Sequence, residues 1–173
     1  MEIVENLAQW QQDFEQGWLA HLQTTGEFDW KRYAKIKNNS VPGTPGIDLS
    51  KSRLMLISTA GGYLKESQEP FDAPNPLGDY TLRLFPASTP FEVIAYAHDH
   101  YDHTAVNQDP QVLLPLRHLE DMVAEGKIGE LMPTVISYSG YQPNVVRVVK
   151  ELIPQILDVT KAKEPDAILL VPA

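Results

Sequence analysis

A chain of 173 residues with 43% hydrophobic and 21% charged content has the proportions of one globular domain. Its formal net charge of −9 argues against a nucleic-acid partner, which would need a basic patch to meet phosphate. No apolar run approaches the ~20 residues of a membrane span, and Met1 to Glu5 lacks the features of a signal peptide, so no membrane contact and a cytoplasmic location are expected. The absence of cysteine excludes disulfides, thiolate metal ligands and a thiol nucleophile within these residues.

Residues 2 to 23 read as a helix. Ile3, Leu7, Trp10, Phe14, Trp18 and Leu22 recur at three- and four-residue steps, and Thr24-Thr25-Gly26 ends the pattern. Phe28 to Tyr33 suggests a second short helix. Residues 1–37 thus form an N-terminal helical arm, able to pack on its own domain or on another subunit. Asn38 to Ser50 carries Pro42-Gly43 and Pro45-Gly46 and reads as a loop, after which residues 50–173 form the main domain.

Arg53 to Thr59 is a nearly continuous apolar run, as in a buried parallel strand, and Ala60-Gly61-Gly62 turns the chain at its end. Pro70, Pro74 and Pro76 mark a second loop. Thr81 to Phe85 alternates like a strand, and Phe91 to Ala97 is a short strand leading into a histidine cluster. Leu113 to Ala124 is a helix with Pro115 in its first turn, and His118 falls between its apolar positions as a histidine without a site role. Pro133 to Tyr138 is a strand, and Asn144 to Lys161 a helix with Pro154 as a kink. Asp166 to Val171 is a last buried strand. This order predicts an α/β fold: a mainly parallel sheet flanked by helices in Rossmann-like layers, with the helical arm in front.

The chemistry concentrates in Ala95 to Thr104, which holds three of the five histidines and two aspartates. A strand exit is where open α/β sheets place ligands. The spacing His98-x-His100-x-Asp102-His103 matches the signature of zinc hydrolases of the metallo-β-lactamase fold. That fold needs further ligands downstream, and the only later histidine is His118, so a metal at His98, His100 and His103 is not the expectation. Two readings remain open. Asp99 or Asp102 can orient an imidazole that serves as acid, base or anion donor. Alternatively, the cluster satisfies loop backbone groups.

Further segments, in order, carry a family resemblance. They are Leu56 to Leu64, Gln68-Glu-Pro-Phe-Asp72, Gly78-Asp79-x-x-x-Arg83-x-x-Pro86, His98-Asp-His-Tyr-Asp102 and Leu114-Pro-Leu-x-x-Leu119. Gly126-x-Ile-Gly129, Ser137-Tyr-Ser-Gly-Tyr141 and Asp166 to Pro172 complete the set. From about Leu49 onward the sequence resembles the selenoprotein B group of glycine, sarcosine, betaine and D-proline reductases, especially short D-proline-reductase-like members. The resemblance implies reductive cleavage of a small amino acid or related amine. In that family a selenocysteine or cysteine beyond the last strand is the nucleophile, and a partner subunit's pyruvoyl group activates the amine. This sequence ends at Ala173 without a cysteine, so the chain is expected to carry no cofactor of its own and to act with a partner, as a homo- or hetero-oligomer. His98, Asp99, His100 and Asp102 are the expected acid/base groups. Thr59, Gly61, Gly62, Tyr101, Ser139 and Tyr141 are the expected ligand-binding residues, with Gly61 and Gly62 offering backbone N–H groups to a carboxylate. The alternative is a binding or scaffold subunit that keeps the fold without the chemistry, its Trp10, Trp18 and Trp30 serving assembly.

Overall fold

The computed structural model describes residues 3–40, 43 and 46–173. Pro42 and Pro45 of the predicted loop lie outside the described residues.

Helix α1 (Leu7–Phe14) widens into a π turn (Glu15–Leu19) and continues as α2 (Ala20–Thr25), which Gly26 ends at φ 74°. The heptad-like stripe buries Trp10, Phe14 and Trp18, while Ile3 lies before the helix and is exposed. A single 3-10 turn (Trp30–Arg32) stands where the second helix was expected. The Glu5 carboxylate accepts four hydrogen bonds from Asn39 and Ser40. These bonds, the Asn39 amide first, hold its pKa down at about 2 and tie the end of the arm to its beginning.

The main sheet is built on β1 (Arg53–Ser58), whose burial is continuous after Arg53. On one side β1 pairs in parallel with β5 (Glu130–Leu131) and then β6 (Thr134–Ser137), and on the other with β7 (Ala167–Val171). The antiparallel β3 (Arg83–Pro86) closes the β6 edge. A second, two-stranded sheet joins β2 (Gly62–Leu64) to β4 (Ile94–Tyr96). It begins directly at the glycine turn, so Ala60-Gly61-Gly62 connects two sheets rather than only closing a strand.

Alternation along β1 assigns its two faces. Leu54 and Leu56 join Phe85, Val135 and the helix α4 (Leu116–Ala124), whose Leu116 and Leu119 are buried. Met55 and Ile57 join Ile136 and the helix α6 (Ile153–Lys163) through Ile156 and Val159. Helices thus cover both faces, which makes the domain a three-layer α/β fold. Pro115 sits just before α4, not inside its first turn. Pro154 is accommodated without breaking the helix. A π turn (Val148–Leu152) between α5 (Val145–Arg147) and α6 rearranges the backbone bonds where proline has no N–H to donate.

Two elements differ from expectation. A short helix α3 (Thr104–Gln108) follows the histidine cluster directly. The last strand is not buried: β7 has no strand on its outer edge among the described residues, and Ile168 and Leu170 are about half exposed. They share the α6 face with Met55 and Ile57, and the helix does not reach far enough to cover them.

The arm packs on its own domain. Trp10, Phe14 and Trp18 cluster with Val145, Val146, Val149 and Leu77, and the Tyr33 hydroxyl donates to the Pro143 carbonyl at 2.9 Å.

Candidate functional site

Buried polar groups locate the site, because burying one without purpose is costly. Among the described residues seven polar residues are buried, and five of them, Ser58, Thr59, His98, Ser137 and Ser139, gather where β1 and β6 end. Backbone bonds tie these exits to the histidine loop. The Gly61 amide donates to Tyr138, the Gly61 carbonyl accepts from Ala97, and Gly140 donates to Thr59. Ala60 and Ser139 form an isolated bridge. Gly61 has φ +68°, and a Cβ there would collide with the Ala97 carbonyl, so only glycine permits this approach.

Within the loop each predicted residue has a distinct position. His98 is buried, and its Nδ1 accepts the His100 amide at 3.1 Å, leaving its proton on Nε2. His103 Nε2 lies 2.6 Å from the His98 carbonyl oxygen and must carry a proton to donate to it. The Tyr101 hydroxyl donates to the Ala60 carbonyl at 3.0 Å, and its ring stacks on His103. Asp102 accepts from the Thr104 amide and hydroxyl, a local turn that spends one carboxylate oxygen on the loop itself just before α3. Asp99 is exposed. His100 is exposed and stacks face to face on Tyr141, with centroids 3.6 Å apart. Tyr141 is fixed in turn by its hydroxyl bond to the Pro76 carbonyl.

Two expected binding groups are already engaged. The Gly61 N–H is taken by Tyr138, and the Thr59 hydroxyl accepts the Ala173 amide at 2.7 Å. Gly62 pairs with Tyr96 in the small sheet. Three groups went unread in the sequence. Ser137 Oγ and the Tyr96 hydroxyl are buried without a partner among the described residues, and Trp30 of the arm lies edge-on to Tyr141 at 6.2 Å. A serine ending the apolar run Val-Ile-Ser was a usable signal for the first. Trp30 had none, because the contact crosses from the arm to the far end of β6. His103 and Tyr96 also line a cavity of about 290 Å³ with Lys65 and Asn107.

The electrostatics separate fixed groups from available ones. Burial pushes the Tyr101 and Tyr141 phenols up to about 12, so near neutrality they stay protonated as donors. Burial holds His98 below its ordinary value of 6.5, helped by the charges of His100 and His103 and opposed by Asp99. A charged His98 would also carry a proton on Nδ1 and lose the His100 amide. The unfolded chain therefore takes up this proton at higher pH than the folded one. Stability is expected to be constant above about pH 6.5 in this term and to fall as pH drops below it. Denaturant midpoints between about pH 7.5 and 5.5 test this against His98→Asn, which keeps an acceptor without a titrating ring. An equal pH slope in both proteins would refute it.

His98 Nδ1, His103 Nε2 and Asp102 Oδ1 are each engaged in bonds within the loop. Among the described residues no group of three His, Asp or Glu side chains is placed to hold a metal ion. No described helix is long and apolar enough to cross a membrane.

A mainly parallel sheet whose strand ends converge on a loop of imidazoles and phenols makes the carboxyl edge of this α/β domain the candidate ligand site. The sequence comparisons give that domain its family. Residues 29–173 match the model of glycine/sarcosine/betaine reductase selenoprotein B, and the chain belongs to this family. It is 27% identical over 123 residues to the D-proline reductase subunit gamma of Acetoanaerobium sticklandii, covering 71% of this chain and 49% of the relative. It is 31% identical over 133 residues to the glycine reductase complex component B subunit gamma of Carboxydothermus hydrogenoformans, covering 75% of this chain and 30% of the relative. The matched region thus spans about half of the first relative and under a third of the second. No solved structure matches.

Proposed function

We propose that this chain is a subunit of an amino-acid reductase-type complex, and that it binds a small amino acid or its amine derivative at the exits of β1 and β6. The observation that carries this reading is the exposed His100 imidazole, clamped on Tyr141 beside buried, polar strand ends. Membership of the family and the names of the two relatives, both reductase subunits, support the substrate class. His100 is the acid/base group, since its ring is the accessible imidazole of the cluster. His98 positions it by holding its amide, and Tyr101 and Asp102 fix the two flanks of the loop. These 173 residues contain no cysteine, so the soft nucleophile that such a reaction needs lies outside them. The second reading is a subunit that binds ligand at the same strand exits without taking part in the reaction.

Thermal shift with glycine, sarcosine, betaine and D-proline tests the binding shared by both readings. A ligand at 100 times its Kd should add about 2.7 kcal/mol of stability, or roughly 5–10 °C for a domain of this size. His100→Ala should keep the unliganded Tm within about 1 °C, since the ring is on the surface, and should weaken binding by about tenfold. In a complex reconstituted with partner subunits the same variant should abolish turnover under the first reading and leave it unchanged under the second. If none of the four compounds shifts Tm, the site assignment is wrong.

A further inference from the structure

The arm carries a feature that the reductase reading does not use. Four of the fourteen cationic residues, Lys31, Arg32, Lys35 and Lys37, fall within seven positions of an otherwise acidic chain. Arg32 is paired with Asp29 at 3.1 Å, whereas the three lysines have no carboxylate partner among the described residues. Tyr33, Lys35 and Lys37 follow in a segment outside the helices and strands. With Trp30 and Lys31 they line a cleft of about 560 Å³, within the range of roughly 300–1,000 Å³ found for small-molecule sites. Trp30 is 50% exposed, while Trp10 and Trp18 are 5% and 0% exposed. Its ring lies beside those of Phe28, Trp18 and Tyr33 and stays half exposed where it lines the cleft.

We propose that this cleft is a second ligand site, for a nucleoside di- or triphosphate. The ammonium groups supply mobile point charges for phosphate oxygens. The aromatic faces supply a stacking platform for a base, a contact that needs no particular hydrogen-bond pattern. Inorganic phosphate would leave the rings unused, and an uncharged nucleoside would leave the lysines unused. A nucleic acid would run beyond the patch onto the remaining acidic surface, which repels it.

The cleft is joined to the histidine site by contact. Trp30 meets Tyr141 edge-on at 6.2 Å, and Tyr141 stacks on His100 at 3.6 Å. A base settling on Trp30 therefore changes the support of the ring that carries His100. The proposal does not depend on the amino-acid reading, because its residues and its ligand are different.

Calorimetric titration of the full chain with ADP, ATP, adenosine, pyrophosphate and a ten-nucleotide DNA strand tests it, with Trp fluorescence reporting the exposed Trp30. ADP and ATP should bind saturably, at least about tenfold tighter than adenosine or pyrophosphate. Lys35→Glu with Lys37→Glu should weaken them by at least about tenfold at unchanged Tm, because both side chains are exposed. The His100 ring resonances should move on ADP addition in the natural protein and stay still in the double variant. Equal affinity for adenosine or pyrophosphate, tighter binding of the DNA strand, or an unaltered Kd in the double variant would each overturn the assignment.

Discussion

Replacing Gly61 with valine should lower stability by about 3 kcal/mol, or roughly 6–12 °C in Tm, and remove ligand binding at the histidine loop. Gly61 sits at φ +68°, a region that costs a side-chain-bearing residue about 1–2 kcal/mol. Its missing Cβ is also filled by the Ala97 carbonyl, and that atom is backbone, so it cannot swing aside. The Gly61 amide and carbonyl bond to Tyr138 and Ala97, so this residue ties the exit of β6 to the start of the histidine loop. Displacing it displaces the start of the loop that carries His98 and His100. Gly126→Ala separates the two costs. Gly126 has φ +72° after α4 but nothing within 4 Å of an added Cβ, so it should lose only the conformational part, about 1 kcal/mol. Equal losses at the two positions would show that the close approach at Gly61 contributes nothing.

The same junction shows where sequence reasoning succeeded and where it stopped. Ser58 to Gly62, His98 to His103 and Ser139 to Tyr141 were each recognisable as a strand exit, because an apolar run followed by Gly, Ser or His is a local pattern. All three exits come together in the structure. Their internal division of labour was not local. Asp102 reads equally as an imidazole partner and as an acceptor for loop backbone groups, and its bonds to Thr104 two residues on are of the second kind. Gly61 reads as an anion-binding amide, yet that amide completes a tertiary bond to Tyr138. The position of β7 was hidden for a related reason: an apolar strand states that it pairs, not which neighbours it has on each side. The two-residue β5 and the five-residue α3 are too short for any periodicity to register.

Trp18→Ala should be the most damaging change in the arm, costing about 4 kcal/mol, or roughly 8–16 °C. Trp18 is fully buried, and its ring lies 5.3–6.1 Å from those of Phe14, Phe28, Trp30 and Tyr33. Alanine would leave a cavity that Phe14 and Tyr33 cannot close by small movements, since both also pack on Trp10. Trp18→Phe isolates the geometry from the volume. Trp18 Nε1 is buried without a partner, so phenylalanine removes an unsatisfied donor as it removes part of a ring, and the net cost should stay below about 1.5 kcal/mol. The alanine variant carries a second consequence. Trp18 backs Trp30, which meets Tyr141, which carries His100. Well below its Tm, the alanine variant should therefore lose affinity at the histidine site while the phenylalanine variant keeps it. Near-UV circular dichroism and the thermal-shift titration measure the two effects on the same samples. If Trp18→Ala unfolds the arm and leaves ligand affinity intact, the arm is a separate packing unit and its aromatic contact with Tyr141 has no part in holding His100.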